Sequence, residues 1–118
     1  MIVRSKTFRG WMKANFTRQD LKDMVTHGVS SGFSGLIYYT ETAKLYDKFS
    51  DEIWDALYDD AQNMGYNNVL QFIVECFRDS DVASDAQFKN MLVWYMAERT
   101  ARELLEDNDI NFLKREVL

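Results

Sequence analysis

Residues 27–39, HGVSSGFSGLIYY, gather the only histidine of the chain, three serines and three of its five glycines. Within them, Gly28-Val29-Ser30-Ser31-Gly32 matches the Gly-x-Ser-x-Gly turn that presents a nucleophilic serine, with Ser30 in the nucleophile's place. That chemistry needs a strand before the turn, a helix after it, and a histidine base supplied later in the chain. Here a helical pattern precedes the turn and His27 comes before Ser30, so serine hydrolysis is not expected. A zinc site at His27 would need carboxylates or water for its other ligands, because there is no second histidine and no cysteine pair. The position of His27 fits a helix-terminal imidazole that faces the last carbonyls and the negative end of the dipole. Cys76 falls on an apolar helical arc and is expected to be a buried, inert thiol. With no phosphate loop, dinucleotide fingerprint or calcium loop, no cofactor, no metal and no catalytic residue is expected.

Two other groups of residues could bind rather than catalyse. Arg4, Lys6, Arg9 and Lys13 alternate with Phe8, Trp11 and Phe16, a pattern that could grip phosphates and stack on bases. The competing reading sends the three rings into the core and leaves the basic residues solvated. Asp51, Glu52, Asp55 and Asp59 fall on one side of a helical wheel, where carboxylates can stand in for a phosphate array and occupy a basic groove. A solvated helix face gives the same pattern. Tyr38 and Tyr39, amid glycine and serine, have the composition of a contact patch and equally that of a loop docked by its aromatics.

The elements that must position these groups are helical. The chain has 118 residues and no proline, which fits long helix interiors, and its single cysteine rules out an internal disulfide. A reducing cytoplasm is the expected compartment. The longest uncharged run, 24–40, is broken by glycines and hydroxyls and too short to span a bilayer, and the first residues lack the apolar core of a secretory signal. A net charge of −5 hides a basic head, +4 over residues 1–27, on a body of −9.

Thr17 with Asp20 predicts a helix start, followed by an apolar stripe of Leu21, Met24 and Val25, with Gly28 as the left-handed stop. A short helix is predicted from Thr40 or Thr42 to Phe49. A second starts at Ser50 and stops at Gly65, with Ile53, Trp54, Leu57, Tyr58, Ala61 and Met64 on its apolar side and Asp60 at the rim. Residues 67–78 form another helix around Val69, Phe72, Ile73, Cys76 and Phe77. Ser84 and Gln87 open a longer one whose stretch from Met91 to Ala97 is apolar all round, as in a central buried helix. Asp109 could cap a last short helix, and only Leu36-Ile37-Tyr38-Tyr39 has strand character. The expectation is a compact all-α domain of five or six helices over 1–118, with 1–16 as a basic N-terminal segment and a Gly-rich loop after the helix that ends at His27.

The chain resembles a family of small uncharacterised proteins carried by phages, prophages and plasmids. The resemblance runs over residues 17–75 and rests on His27-Gly28, on Gly32-Phe33-x-Gly35 followed by two hydrophobic residues and Tyr38-Tyr39, and on Asp51-Glu52-Ile53-Trp54. It implies a mobile-element setting, in which small acidic proteins often counter host defence, and carries over no catalytic residue. The expected function is therefore non-enzymatic binding of a host protein or complex of CRISPR or restriction type, through Asp51, Glu52, Asp55, Asp59, Tyr38 and Tyr39. The alternative is nucleic-acid binding through Arg4, Lys6, Arg9 and Lys13. No membrane partner is expected.

Overall fold

The computed structural model describes residues 6–27, 39–77 and 84–106, with Tyr39, Thr40, Glu41 and Thr42 described by backbone. The Gly-rich stretch from Gly28 to Tyr38, Arg4 and the segment beginning at Asp109 lie outside the described residues. Those described form five helices: α1 (Phe8–Asn15), α2 (Arg18–His27), α3 (Tyr39–Asn63), α4 (Val69–Cys76) and α5 (Asp85–Glu106). The all-α class is as expected, and no strand occurs among the described residues.

The starts of α1, α2, α4 and α5 each have a side chain that satisfies an otherwise unpaired backbone N–H. The Thr7 hydroxyl accepts from the Gly10 N–H at 3.0 Å and opens α1, a helix within the basic N-terminal segment that the sequence did not predict. Thr17 and Asp20 form the reciprocal box expected of them: the Asp20 N–H donates to Thr17 Oγ1 at 3.1 Å and the Thr17 N–H to Asp20 Oδ2 at 2.9 Å. Asn68 Oδ1 accepts from the Gln71 N–H at 2.8 Å to start α4, and Ser84 Oγ accepts from the Gln87 N–H at 3.2 Å to start α5.

The two helices expected on either side of Ser50 are one. α3 runs for 25 residues and bends at Phe49, whose φ of −114° and ψ of 17° are not helical. The Ser-Asp-Glu start signal thus produces a bend within a continuous helix. Phe49 is buried at that bend and meets the Phe8 ring edge-on, with centroids 5.5 Å apart, so tertiary packing holds the two halves together. The other end of α3 stops as expected at Gly65, at φ +83°, where an L side chain is strained. The Tyr66 N–H donates to the Ala61 carbonyl at 2.9 Å and the Gly65 N–H to the Gln62 carbonyl at 3.1 Å, the paired bonds of a Schellman stop. This turn sets α4 against α3.

α5 is the central element, packed by α1, α2 and α3, while α4 packs on α3. Its burial is one-sided where the sequence suggested burial all round. Leu92, Val93, Met96, Ala97, Ala101 and Leu104 are in the core, but Met91, Trp94 and Tyr95 are half-buried. Phe8, Trp11, Met12 and Phe16 join Leu21, Met24, Leu45, Phe49, Ile53, Leu57 and Phe72 in the same core.

Candidate functional site

The core settles which reading of the basic N-terminal segment holds for its rings. Phe8 and Trp11 are 0% and Phe16 is 1% exposed, so none of them can stack on a base. Lys6 is exposed, and Arg9 and Lys13 are half-buried on α1. Arg9 lies 3.8 Å from Glu103 on α5, so part of its charge faces the acidic body of the same chain.

The acidic residues of α3 divide by role. Asp51, Asp55 and Asp59 are exposed on successive turns, at the four-residue spacing that stacks side chains on one face. Asp47, also exposed, continues the spacing one turn earlier, across the bend at Phe49; the sequence reading missed it because it assigned residue 47 to a separate helix. Like charges at this spacing destabilise an isolated helix by about 0.2–0.5 kcal/mol per pair, and no basic residue of α3 interrupts the row after Lys48.

Glu52 does not belong to that surface. Its carboxylate accepts the Phe8 N–H at 3.1 and 3.3 Å, at the first residue of α1. A negative group there satisfies an unpaired N–H and meets the positive end of the helix dipole, so Glu52 holds α1 against α3. Being one residue on from Asp51 turns Glu52 about 100° around the wheel, toward α1. Replacing Glu52 with alanine should therefore cost about 1 kcal/mol of stability, while Asp51→Asn should stay within about 0.5 kcal/mol. Urea denaturation of the two variants measures the difference.

Tyr38 lies outside the described residues, and Tyr39 is placed by backbone as the first residue of α3. His27 is exposed at the last position of α2, where the sequence put it.

The apolar side of α3 also divides. Ile53, Ala56, Leu57 and Ala61 are buried, but Tyr58 is 57% exposed and Trp54 only half-buried. On α4, Leu70 and Val74 are exposed although Val69, Phe72 and Ile73 are buried. The sequence did hold a signal for these two: they stand four apart and off the arc that defines the core side of α4. Trp54 is fixed by its indole N–H, which donates to the Tyr46 hydroxyl at 2.9 Å.

One titratable cluster joins α3 and α5. The Tyr95 hydroxyl donates to Asp60, and Arg99 Nε donates to the same carboxylate at 3.0 Å. Arg99 also donates to Glu103 at 2.8 Å. Burial, the bond to Asp60 and the charge of Asp60 hold the Tyr95 phenol far above its ordinary range. Cys76 is exposed at the last position of α4, correcting its expected burial. Local desolvation, then the charges of Asp60 and Glu75, push its thiol up, so it stays protonated and weakly nucleophilic at neutral pH. Among the described residues, no three His, Cys, Asp or Glu side chains converge to hold a metal ion, and no helix is long and apolar enough to cross a membrane.

Fold and surface together define a small all-α domain whose exposed features are an acidic helix row and an adjoining apolar surface. The chain belongs to a domain family of unknown function, DUF7222, whose model matches residues 3–110. No curated protein and no solved structure matches it.

Proposed function

We propose that this protein is a non-enzymatic, cytoplasmic binding module of a phage or other mobile element that blocks a host nucleic-acid-handling defence complex. The observation that carries this reading is the exposed row Asp51, Asp55 and Asp59 on one face of α3. A row of carboxylates is complementary to a surface that binds a phosphate backbone, and such complementarity speeds encounter and selects partners. The mobile-element setting is supported by the resemblance around His27-Gly28 and Asp51-Glu52-Ile53-Trp54. Occlusion of a basic nucleic-acid groove, as in a CRISPR or restriction complex, is the mechanism consistent with both.

The test is plasmid transformation of cells that carry an active restriction or CRISPR system directed at the plasmid. The wild-type protein should raise transformation by about tenfold or more, and the variant with Asp51, Asp55 and Asp59 all changed to Asn should lose most of that gain. Asp23, Asp85 and Glu106, changed to Asn, Asn and Gln, lie on other helices and form the control with the same change in charge. Equal loss in both sets would reduce the effect to net charge, and no protection by the wild type against either class of system would overturn the reading.

A further inference from the structure

Beside the acidic row runs a groove walled by α3 and α4. Its larger part, about 1020 Å³, is lined by Trp54, Tyr58, Ala61, Tyr66, Val69 and Leu70, with Asp51 at its edge. A second part, about 510 Å³, shares Tyr66, Asn68 and Leu70 with the first and continues along α4 to Val74 and Glu75. The two form one trough with an apolar floor. Tyr58, Leu70 and Val74 are 57%, 66% and 64% exposed, a concentration of large apolar side chains that solvation alone does not favour.

Charge narrows what can lie there. Among the described residues, the charged ones lining the trough are Asp51 at one end and Glu75 at the other, and none of them is Lys or Arg. Asp55 and Asp59 extend the negative charge along the same helix. A second copy laid groove to groove would set these carboxylates against their own counterparts, so a symmetric dimer is disfavoured. The occupant must be apolar on one side and cationic at its flanks.

Its backbone must also need little from the walls. Both walls are helices whose backbone groups are bonded internally, and an extended segment would find no strand edge to pair with among the described residues. A helix satisfies its own backbone and can lay an apolar stripe between two others. Trp54 and Tyr58 on α3, and Leu70 and Val74 on α4, repeat at four-residue spacing and offer parallel ridges to such a stripe.

We propose that the trough between α3 and α4 receives one cationic amphipathic helix of the partner protein, with Tyr58, Leu70 and Val74 as its apolar contacts and Asp51 and Glu75 meeting its basic flanks. This rests on the protein-binding reading above and names the chemistry of the segment bound.

The probe is a labelled designed peptide of about 18 residues, with Leu at helical stripe positions and Lys elsewhere, long enough to span the trough as a helix. It is titrated against the full chain by fluorescence anisotropy. Binding in the micromolar range is expected, at least about tenfold weaker for a shuffled peptide of the same composition and for one with Glu in place of Lys. Leu70→Ser and Val74→Ser, both exposed positions, should leave the circular-dichroism melt unchanged and weaken binding by a similar factor.

No binding up to about 1 mM, or equal binding of the shuffled peptide, overturns the proposal. So does binding that ignores Leu70→Ser and Val74→Ser, which would leave charge attraction alone, or a wild-type dimer that those changes dissolve. The transformation assay separates the two levels. Protection lost with the three Asn changes but kept with Leu70→Ser and Val74→Ser removes the trough and leaves the acidic row. Peptide binding that behaves as expected, without protection, keeps the trough and removes the defence target.

Discussion

Replacing Trp11 with alanine should destabilise the protein by about 3–5 kcal/mol, the range found when a fully buried large aromatic is truncated. Trp11 is 0% exposed, and its ring meets those of Phe8 at 5.5 Å and Phe16 at 5.4 Å between centroids. Each such ring pair is worth about 0.5–1.5 kcal/mol beyond the area it buries, and losing the shared member leaves both neighbours facing a cavity. Domains of this size have a total stability of about 5–15 kcal/mol, so the loss takes between about a fifth and all of it. Urea denaturation followed by far-ultraviolet circular dichroism gives the number. The same variant decides between the two readings of the basic segment. A tryptophan that stacks on bases would be exposed, and its loss would leave stability within about 0.5 kcal/mol while weakening single-stranded DNA binding. A stability loss in the core range, with Lys6→Ala folding normally, assigns the ring to the core and limits nucleic-acid contact to the lysines and arginines.

Much of this was legible because local signals act on neighbouring residues. The starts at Thr17 and Ser84 and the stop at Gly65 depend on a side chain three residues away or on the backbone freedom of one glycine. They appear in the structure where the sequence set them. The bend at Phe49 was not legible as a bend. Ser50, Asp51 and Glu52 make a convincing helix start, and what joins the halves is side-chain packing, including that of Phe49 on Phe8, a contact 41 residues apart in sequence. The acceptor role of Glu52 was hidden for the same reason: it faces an N–H at Phe8, which no periodicity over 50–65 can show. The apolar trough was half legible. A wheel ranks Tyr58 with Ile53 and Leu57, yet a neighbour on that side was needed to decide which of them becomes core. Ile53 and Leu57 are in the core, while Tyr58 on α3 and Leu70 and Val74 on α4 stay exposed.

Asp60→Ala should cost about 2–3 kcal/mol, because it removes the acceptor shared by Tyr95 and Arg99 in a partly buried setting, where hydrogen bonds to a charged group are worth about 1.5–3 kcal/mol. Arg99 keeps Glu103 as a partner, so its own charge stays compensated and the loss stops short of that for a fully orphaned ion. Tyr95→Phe should recover part of the loss in the double variant, since the phenol then no longer seeks a missing acceptor. Alkaline titration reads the same contact independently. An unfolded tyrosine releases its proton near pH 10, whereas folded Tyr95 holds its proton to higher pH through burial and the neighbouring carboxylate. Above pH 10 the unfolded state therefore binds fewer protons than the native state, and stability must fall as pH rises. Cys76, also raised, adds a component of the same sign that begins at lower pH, so the comparison is made in a Cys76→Ser background. There, denaturant unfolding between about pH 8 and pH 11 should show a decline that Tyr95→Phe flattens. A decline unchanged by Tyr95→Phe would mean that the phenol titrates normally and that Asp60 is held by Arg99 alone. The pairing matters to the trough, because Asp60 accepts two hydrogen bonds from α5 close to the Gly65 stop that precedes α4. Loosening it should weaken the designed peptide's binding along with stability, whereas Glu52→Ala, acting at the α1 contact, should lower stability and leave the peptide's affinity unchanged.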